Sequence, residues 1–248
     1  MHVAIHFGRV SKFSLEEIVH RIFDLGWTLL EPCSGDWNLN QKFYELFPRE
    51  KISRLDQNVW QHAYNTAYLP FIENPTMRSE QEQIERLTRF YLTLFDQAKL
   101  GGTFQHAVTL AVDAVENLAT MNLIPSSLET LQSLKDAGYR IGIISDTWPY
   151  IERRIHAFKL DEYVDQYTYS YELGVLKPNL LMYRDALEKA GLKPEECIFI
   201  DDQVKNLEAA KSLGIHPVQI IYHEGIEIGE YPTIQKPSDV LDLLKQYQ

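Results

Sequence analysis

The sequence predicts an α/β fold with a parallel sheet and a helical insert, and three observations predict it. From about residue 122 onward, short apolar runs alternate with helical patterns, as strands joined by crossover helices do. Three of those helical patterns end at a glycine, Gly138, Gly191 and Gly214, shortly before the next apolar run. Residues 33 to about 117 instead carry many Gln, Glu, Arg and aromatic residues spaced three and four apart, the mark of packed helices.

A chain of 248 residues, 45% hydrophobic and 24% charged, can bury a sizeable core and is far from the composition of a disordered segment. Its 24 Lys and Arg against 35 Asp and Glu leave a formal net charge of -11, which repels nucleic acid backbones and anionic membrane surfaces. Neither is expected as a partner. No apolar run reaches the roughly 18 residues that a membrane span needs. Cys33 and Cys197 lie far apart without metal-ligand spacing, and the N-terminus does not read as a secretory signal, so a cytoplasmic protein is expected. The sequence carries no internal repeat and no mark of oligomeric state.

Taken in order, residues 1–13 match no pattern and read as a short extra strand or a tail. Leu15, Ile18, Val19, Ile22 and Phe23 fall at helical spacing, and Ser14 with Glu17 suits a capping box, so the pattern alone admits a helix before Asp24. In the insert, Phe43, Leu46 and Phe47, then Ile84, Leu87, Tyr91 and Leu94, mark helical faces. Pro70, Pro75 and Gly101-Gly102 divide it into about four helices. Ser126-Ser127 before Leu128, Leu131 and Leu134 predicts a capped helix, and Tyr139 to Ile144 a buried strand. The cycle recurs as a helix from Tyr183 to Ala190, a strand from Cys197 to Ile200, a helix from Leu207 to Leu213 and a strand from Val218 to Ile221.

Open α/β sheets bind ligands at the carboxyl ends of their strands. There the predicted strands deliver Ser145-Asp146-Thr147 and Asp201-Asp202, with Asn206 shortly after, while the segment Tyr171 to Pro178 delivers Lys177. A hydroxyl, a cation and a carboxylate pair suit phosphoryl chemistry, in which fixed donors and a metal absorb charge while a carboxylate attacks phosphorus. Arg21 to Leu30 is the N-terminal segment with a carboxylate, Asp24, and a hydroxyl, Thr28, beyond an apolar run. That requirement favours a strand ending at Asp24, with helix or turn giving way to it near Val19. Taken singly, Ser145, Thr28, Asp201 and Asp202 read equally well as helix caps and Lys177 as a solvated loop lysine. Adjacent carboxylates at a strand end repel each other unless a cation lies between them.

The segments IFDLGWTLL (22–30), IGIISD (141–146), LGVLKP (173–178) and IFIDDQVKN (198–206) resemble, in order, the four motifs of the haloacid dehalogenase (HAD) superfamily. The resemblance spans nearly the whole chain. It implies a Rossmann-like core made of residues 1–32 and 118–248 and a helical cap of the family's first type over 33–117. It also implies a Mg²⁺-dependent phosphohydrolase in which Asp24 forms an aspartyl-phosphate while Thr28, Ser145 and Lys177 bind the phosphoryl oxygens. Asp146, where many relatives carry Asn, is a phosphate-binding candidate that positions its loop or faces the substrate, with helix capping as the alternative. Asp24, the backbone carbonyl of Gly26 and Asp202 would hold Mg²⁺, Asp201 a metal-bound water or Lys177, and Asn206 would orient the acidic loop. Caps of this kind close over small phosphorylated metabolites, the substrate class expected here.

Most phosphatases of the family carry a second Asp two residues after the nucleophile, as acid and base. Here Gly26 stands there. Such a group contributes about 10²–10⁴-fold, so its loss leaves three outcomes: the insert supplies a replacement, the leaving group needs little protonation, or turnover is lost. The expectation is a preference for good leaving groups, as in anomeric, acyl or aryl phosphates. A haloacid dehalogenase, which lacks that Asp and needs no Mg²⁺, and a non-catalytic module sensing a phosphate or sugar are the alternative readings. Trp37, His62, Tyr64, Tyr68 and Trp148 are candidates for a pocket lining, with the core as the alternative. His156, His216 and His223 lack metal-ligand spacing and read as surface or core residues.

Overall fold

A computed structural model of the protein describes residues 19–245; the expectations for residues 1–13 and for the Ser14–Glu17 capping box lie outside them. The strands are β1 (His20–Phe23), β2 (Leu30–Pro32), β3 (Met121–Leu123), β4 (Arg140–Ser145), β5 (Gln166–Tyr169), β6 (Cys197–Asp201), β7 (His216–Ile220) and β8 (Thr233–Ile234). At His20–Phe23 the ambiguous pattern resolves to strand, and all four residues of β1 are buried. A strand with neighbours on both edges and helices on both faces leaves no polar side, so its sequence does not alternate.

Among the described residues, six strands form one sheet in the order β5-β4-β1-β6-β7-β8, every pair parallel. The chain runs outward from β1 by way of β4 to β5 on one side and later from β6 to β8 on the other. That arrangement makes β1 the point where strand order reverses and a crevice opens. Register sets Phe23 level with Ile143 on β4 and Ile200 on β6. Asp24, Ser145 and the Asp201-Asp202 pair therefore emerge together at the carboxyl edge of three adjacent strands.

Between the short antiparallel ladder strands β2 and β3 lie helices α1 (Gln41–Leu46), α2 (Arg49–Ile52), α3 (Gln57–Glu73), α4 (Glu80–Gln97) and α5 (Phe104–Glu116). Side-chain caps start four of them: Asn40, Asp56, Ser79 and Thr103 each accept a backbone N–H of the first turn. Phe43, Phe47, Leu87, Tyr91 and Leu94 are buried as the spacing predicts, whereas Leu46 is exposed. Two details differ from expectation. The described insert holds five helices, and Pro70 lies inside α3 without ending it. It falls in the last turn, where packing of Ala67 and Phe71 carries the helix past one missing N–H.

The remaining helices are α6 (Ser127–Asp136), α7 (Ile151–Ala157), α8 (Ser170–Leu173), α9 (Leu180–Ala190), α10 (Val204–Ser212) and α11 (Asp239–Lys245). Gly138, Gly191 and Gly214 close α6, α9 and α10 with positive φ, as C-terminal glycines do. Ser126 does not cap α6 through its side chain; its hydroxyl instead accepts the Ser238 N–H. Polar contacts fasten the insert to the sheet domain. Gln83 of α4 accepts the Tyr150 N–H at 3.0 Å, and buried Arg154 of α7 donates to the carbonyls of Ala114, Val115 and Asn117 at the end of α5. Among the described residues no helix is long and apolar enough to cross a membrane.

Candidate active site

Lys177 is the hub of the carboxyl edge. Its ammonium donates to Asp24 Oδ1 at 2.6 Å, Asp201 Oδ2 at 2.7 Å and the Ile144 carbonyl at 3.3 Å, which uses all three of its protons. Asp146 accepts the backbone N–H of Lys177 at 2.9 Å and so clamps that loop to the end of β4. Ser170 braces the same corner by accepting the Thr147 N–H and donating to the Thr147 carbonyl.

Asp201 is fully buried and fully committed. It accepts from Lys177, from the Gln203 N–H at 2.8 Å and from Asn206 Nδ2 on both oxygens at 3.0 Å, which fills the four lone-pair sites of a carboxylate. Asn206 is held in turn, since its carbonyl accepts the Tyr183 hydroxyl at 2.9 Å. Asp202 is less engaged, with Oδ2 lying 3.3 Å from His223 Nε2.

The carboxylate oxygens of Asp24, Asp201 and Asp202 lie within 4.8 Å of one another. Burial pushes the Asp24 carboxyl well above the usual carboxylate range; Lys177 opposes this, and Asp201 and Asp202 reinforce it. Asp202 is pushed up to about 6, by burial first and by Asp201 second. Burial alone would lower Lys177, but Asp201 and Asp24 together raise it well above the ordinary lysine value. It therefore stays charged. Three buried carboxylates facing one ammonium leave the cluster short of positive charge, so the donor set fits a hard divalent cation bound by oxygens.

A cavity of about 720 Å³ opens over this floor, lined there by Asp24, Gly26, Ser145, Asp146, Lys177 and Asp202. Thr28 is not brought to it. Its side chain is completely buried, and among the described residues its hydroxyl has no hydrogen-bond partner. The turn after β1, in which the Leu25 carbonyl accepts the N–H groups of Thr28, Leu29 and Leu30, directs that side chain into the protein. Of the aromatic candidates, Trp37, Tyr64, Tyr68 and Trp148 line the cavity and His62 does not.

Two residues gain a place that their sequence context concealed. His223, read as surface or core, sits beside Asp202; its Nδ1 donates to the Glu224 carbonyl at 2.9 Å, which turns Nε2 toward the carboxylate. It arrives from the loop after β7, and no spacing along the chain signals it. Trp27 lines the cavity, rests on His223 with ring centroids 4.5 Å apart, and has a φ of 55°. That left-handed conformation costs a bulky residue about 1–2 kcal/mol, and such outliers gather at functional sites.

The sequence model described as haloacid dehalogenase-like hydrolase matches residues 22–214. Glyceraldehyde 3-phosphate phosphatase of Methanocaldococcus jannaschii is 30% identical over 162 residues, 60% of this chain and 69% of that protein. (S)-2-haloacid dehalogenase 4A of Burkholderia cepacia is 30% identical over 101 residues, and the match spans 40% of this chain and less than half, 44%, of that enzyme. Among solved structures, L-2-haloacid dehalogenase from Xanthobacter autotrophicus superposes with a TM-score of 0.64 at 16% identity, over 92% of this chain and 98% of that one. A HAD phosphatase from Thermococcus onnurineus gives 0.60 at 17% identity, over 92% and 98%. At these identities the likeness speaks for the fold.

Proposed function

The chain belongs to the haloacid dehalogenase-like hydrolases, and from that premise we propose that it is a Mg²⁺-dependent phosphohydrolase of a small phosphomonoester, working in the cytoplasm. One observation carries the reading: Asp24 stands at the end of the central strand, touching Lys177 at 2.6 Å, with Asp202 close by. A bound Mg²⁺ supplies a Lewis acid for the phosphoryl oxygens. Asp24, Asp202 and the carbonyl of Gly26 are its proposed ligands, because the oxygens of Asp201 are already taken by Lys177, Gln203 and Asn206. Residues 33–117 are proposed as the cap over a core of 1–32 and 118–248, the division that the resemblance implies.

In the proposed reaction, an oxygen of Asp24 attacks phosphorus while Lys177 holds the other oxygen of that carboxylate and opposes its protonation. Ser145 and the Lys177 ammonium hold the phosphoryl group, the ammonium turning to it the proton that it gives at 3.3 Å to the Ile144 carbonyl, and Thr28 has no part in binding it. The bond from phosphorus to the leaving oxygen breaks, and that oxygen departs with the electron pair. Water then attacks phosphorus, releasing phosphate and returning Asp24. Asp201 and Asn206 keep Lys177 in place.

The dehalogenase reading shares Asp24 but has no use for a divalent cation, and the charge-starved cluster of three carboxylates speaks against it. A panel of phosphorylated metabolites and haloacids, run with Mg²⁺, with EDTA and with Asp24→Asn, decides the matter. The expected result is phosphate release that EDTA and the variant both abolish, with a loss of at least about 10⁴-fold for Asp24→Asn. Haloacid turnover that survives EDTA would overturn the proposal, as would ligand binding without any turnover.

A further inference from the structure

Gly26 and Trp37 form one feature. Gly26 is not among the residues with positive φ, so glycine supplies space there, not backbone freedom. A Cβ on it would lie 3.0 Å from Cζ2 of Trp37, well inside the distance at which carbon atoms rest against each other. The indole from the insert thus lies against the spot where any side chain at position 26 would begin. Beside it, the strained backbone of Trp27 sets that ring edge to face against Trp37, with centroids 5.8 Å apart. Tyr64, Tyr68 and Trp148 also line the cavity. The volume of about 720 Å³ falls in the range of sites that take ring-sized organic ligands, roughly 300–1,000 Å³.

Building on the reading of Asp24 as the phosphoryl acceptor, we infer that the substrate is the phosphate monoester of an aromatic or heteroaromatic hydroxyl, its ring seated against Trp27 and Trp37. Wall and chemistry agree. When the Asp24 oxygen bonds to phosphorus and the ester bond breaks, the electron pair stays on the ring oxygen, where conjugation spreads it. The released aryloxide takes its proton from water. An alkoxide has no such outlet and needs an acid, which glycine at position 26 does not supply. Anomeric and acyl phosphates also depart without an acid, but they bring no aromatic face to set against two indoles.

Phosphonates isolate the wall from the chemistry, because they have no leaving group. With the full-length protein, Mg²⁺ and acetyl phosphate as assay substrate, phenylphosphonate is expected to inhibit about five- to tenfold more strongly than cyclohexylphosphonate. A merely greasy cavity would favour the cyclohexyl compound, which buries at least as much apolar surface. Trp37 is 37% exposed, so Trp37→Ala should fold; it is expected to erase the preference, and Trp37→Phe to retain most of it. Equal inhibition by the two phosphonates, or a preference that Trp37→Ala leaves intact, overturns the inference while the phosphohydrolase reading stands. If acetyl phosphate shows no turnover that depends on Asp24, both fall together.

Discussion

On the floor of the cavity, Lys177, Asp24, Asp201 and Asn206 are joined by charged hydrogen bonds of 2.6 to 3.0 Å, whereas on the wall Trp27 meets Trp37, and Tyr68 meets Trp148, through ring contacts with centroids 5.8 and 6.3 Å apart. The floor hangs from strand ends held in register by the sheet. The wall is assembled from the turn after β1, the loop before α1, helix α3 and the loop after β4. A buried charge network is rigid and intolerant, since each charge lost leaves a partner without compensation. An aromatic wall can lose a ring and keep its shape, which makes it the part where specificity can change while the chemistry stays.

The largest expected effect breaks the floor. Lys177→Met leaves Asp24 and Asp201 buried without their shared cation, and unfolding in urea should show a loss of about 3–5 kcal/mol. A loss under about 1 kcal/mol would mean that the network contributes little to the fold.

A second buried polar group, at the opposite end of β1, supplies a baseline for pH studies of the floor. His20 is fully buried, and burial first, then Arg140, lower its pKa to about 4. The folded protein thus resists a proton that the unfolded chain accepts near pH 6.5. Stability from this group is complete above about pH 6.5 and is lost as pH falls toward about 4, by up to about 3 kcal/mol. Denaturation midpoints at pH 7 and pH 5 test this, and His20→Gln should flatten the difference.

The smallest effect sharpens the wall. Gly26→Asp alone sets its Cβ against Trp37, but paired with Trp37→Ala it gains room for an acid. The double variant is expected to hydrolyse cyclohexyl phosphate at least about tenfold faster than either single variant. Simple additivity of the two changes would show that Trp37 does not compete for the acid's place.

Part of the floor was legible because its residues lie directly after strands. An apolar run followed by a polar residue placed Ser145, Asp201 and Asp202 at strand ends from the chain alone, whereas Asp24, after a run that also suits a helix, and Lys177, in the loop after α8, were named with the help of the resemblance. Thr28 was not so readable. The hydroxyl has the right type and neighbourhood, but the side of the turn that it takes is set by the hydrogen bonds to the Leu25 carbonyl.

By itself the sequence determined the α/β class, the helical character of the insert and the glycine helix ends, all of them properties of local pattern and periodicity, and its four motifs named the candidate residues of the floor. Only the tertiary structure decided that His223 lies beside Asp202, that Pro70 is carried within α3, and that Trp37 fills the space over Gly26. The first and last are meetings between side chains apart along the chain, and the second rests on how α3 is packed. Such meetings depend on how helices and loops pack over the sheet, and packing leaves no period in the sequence to be read.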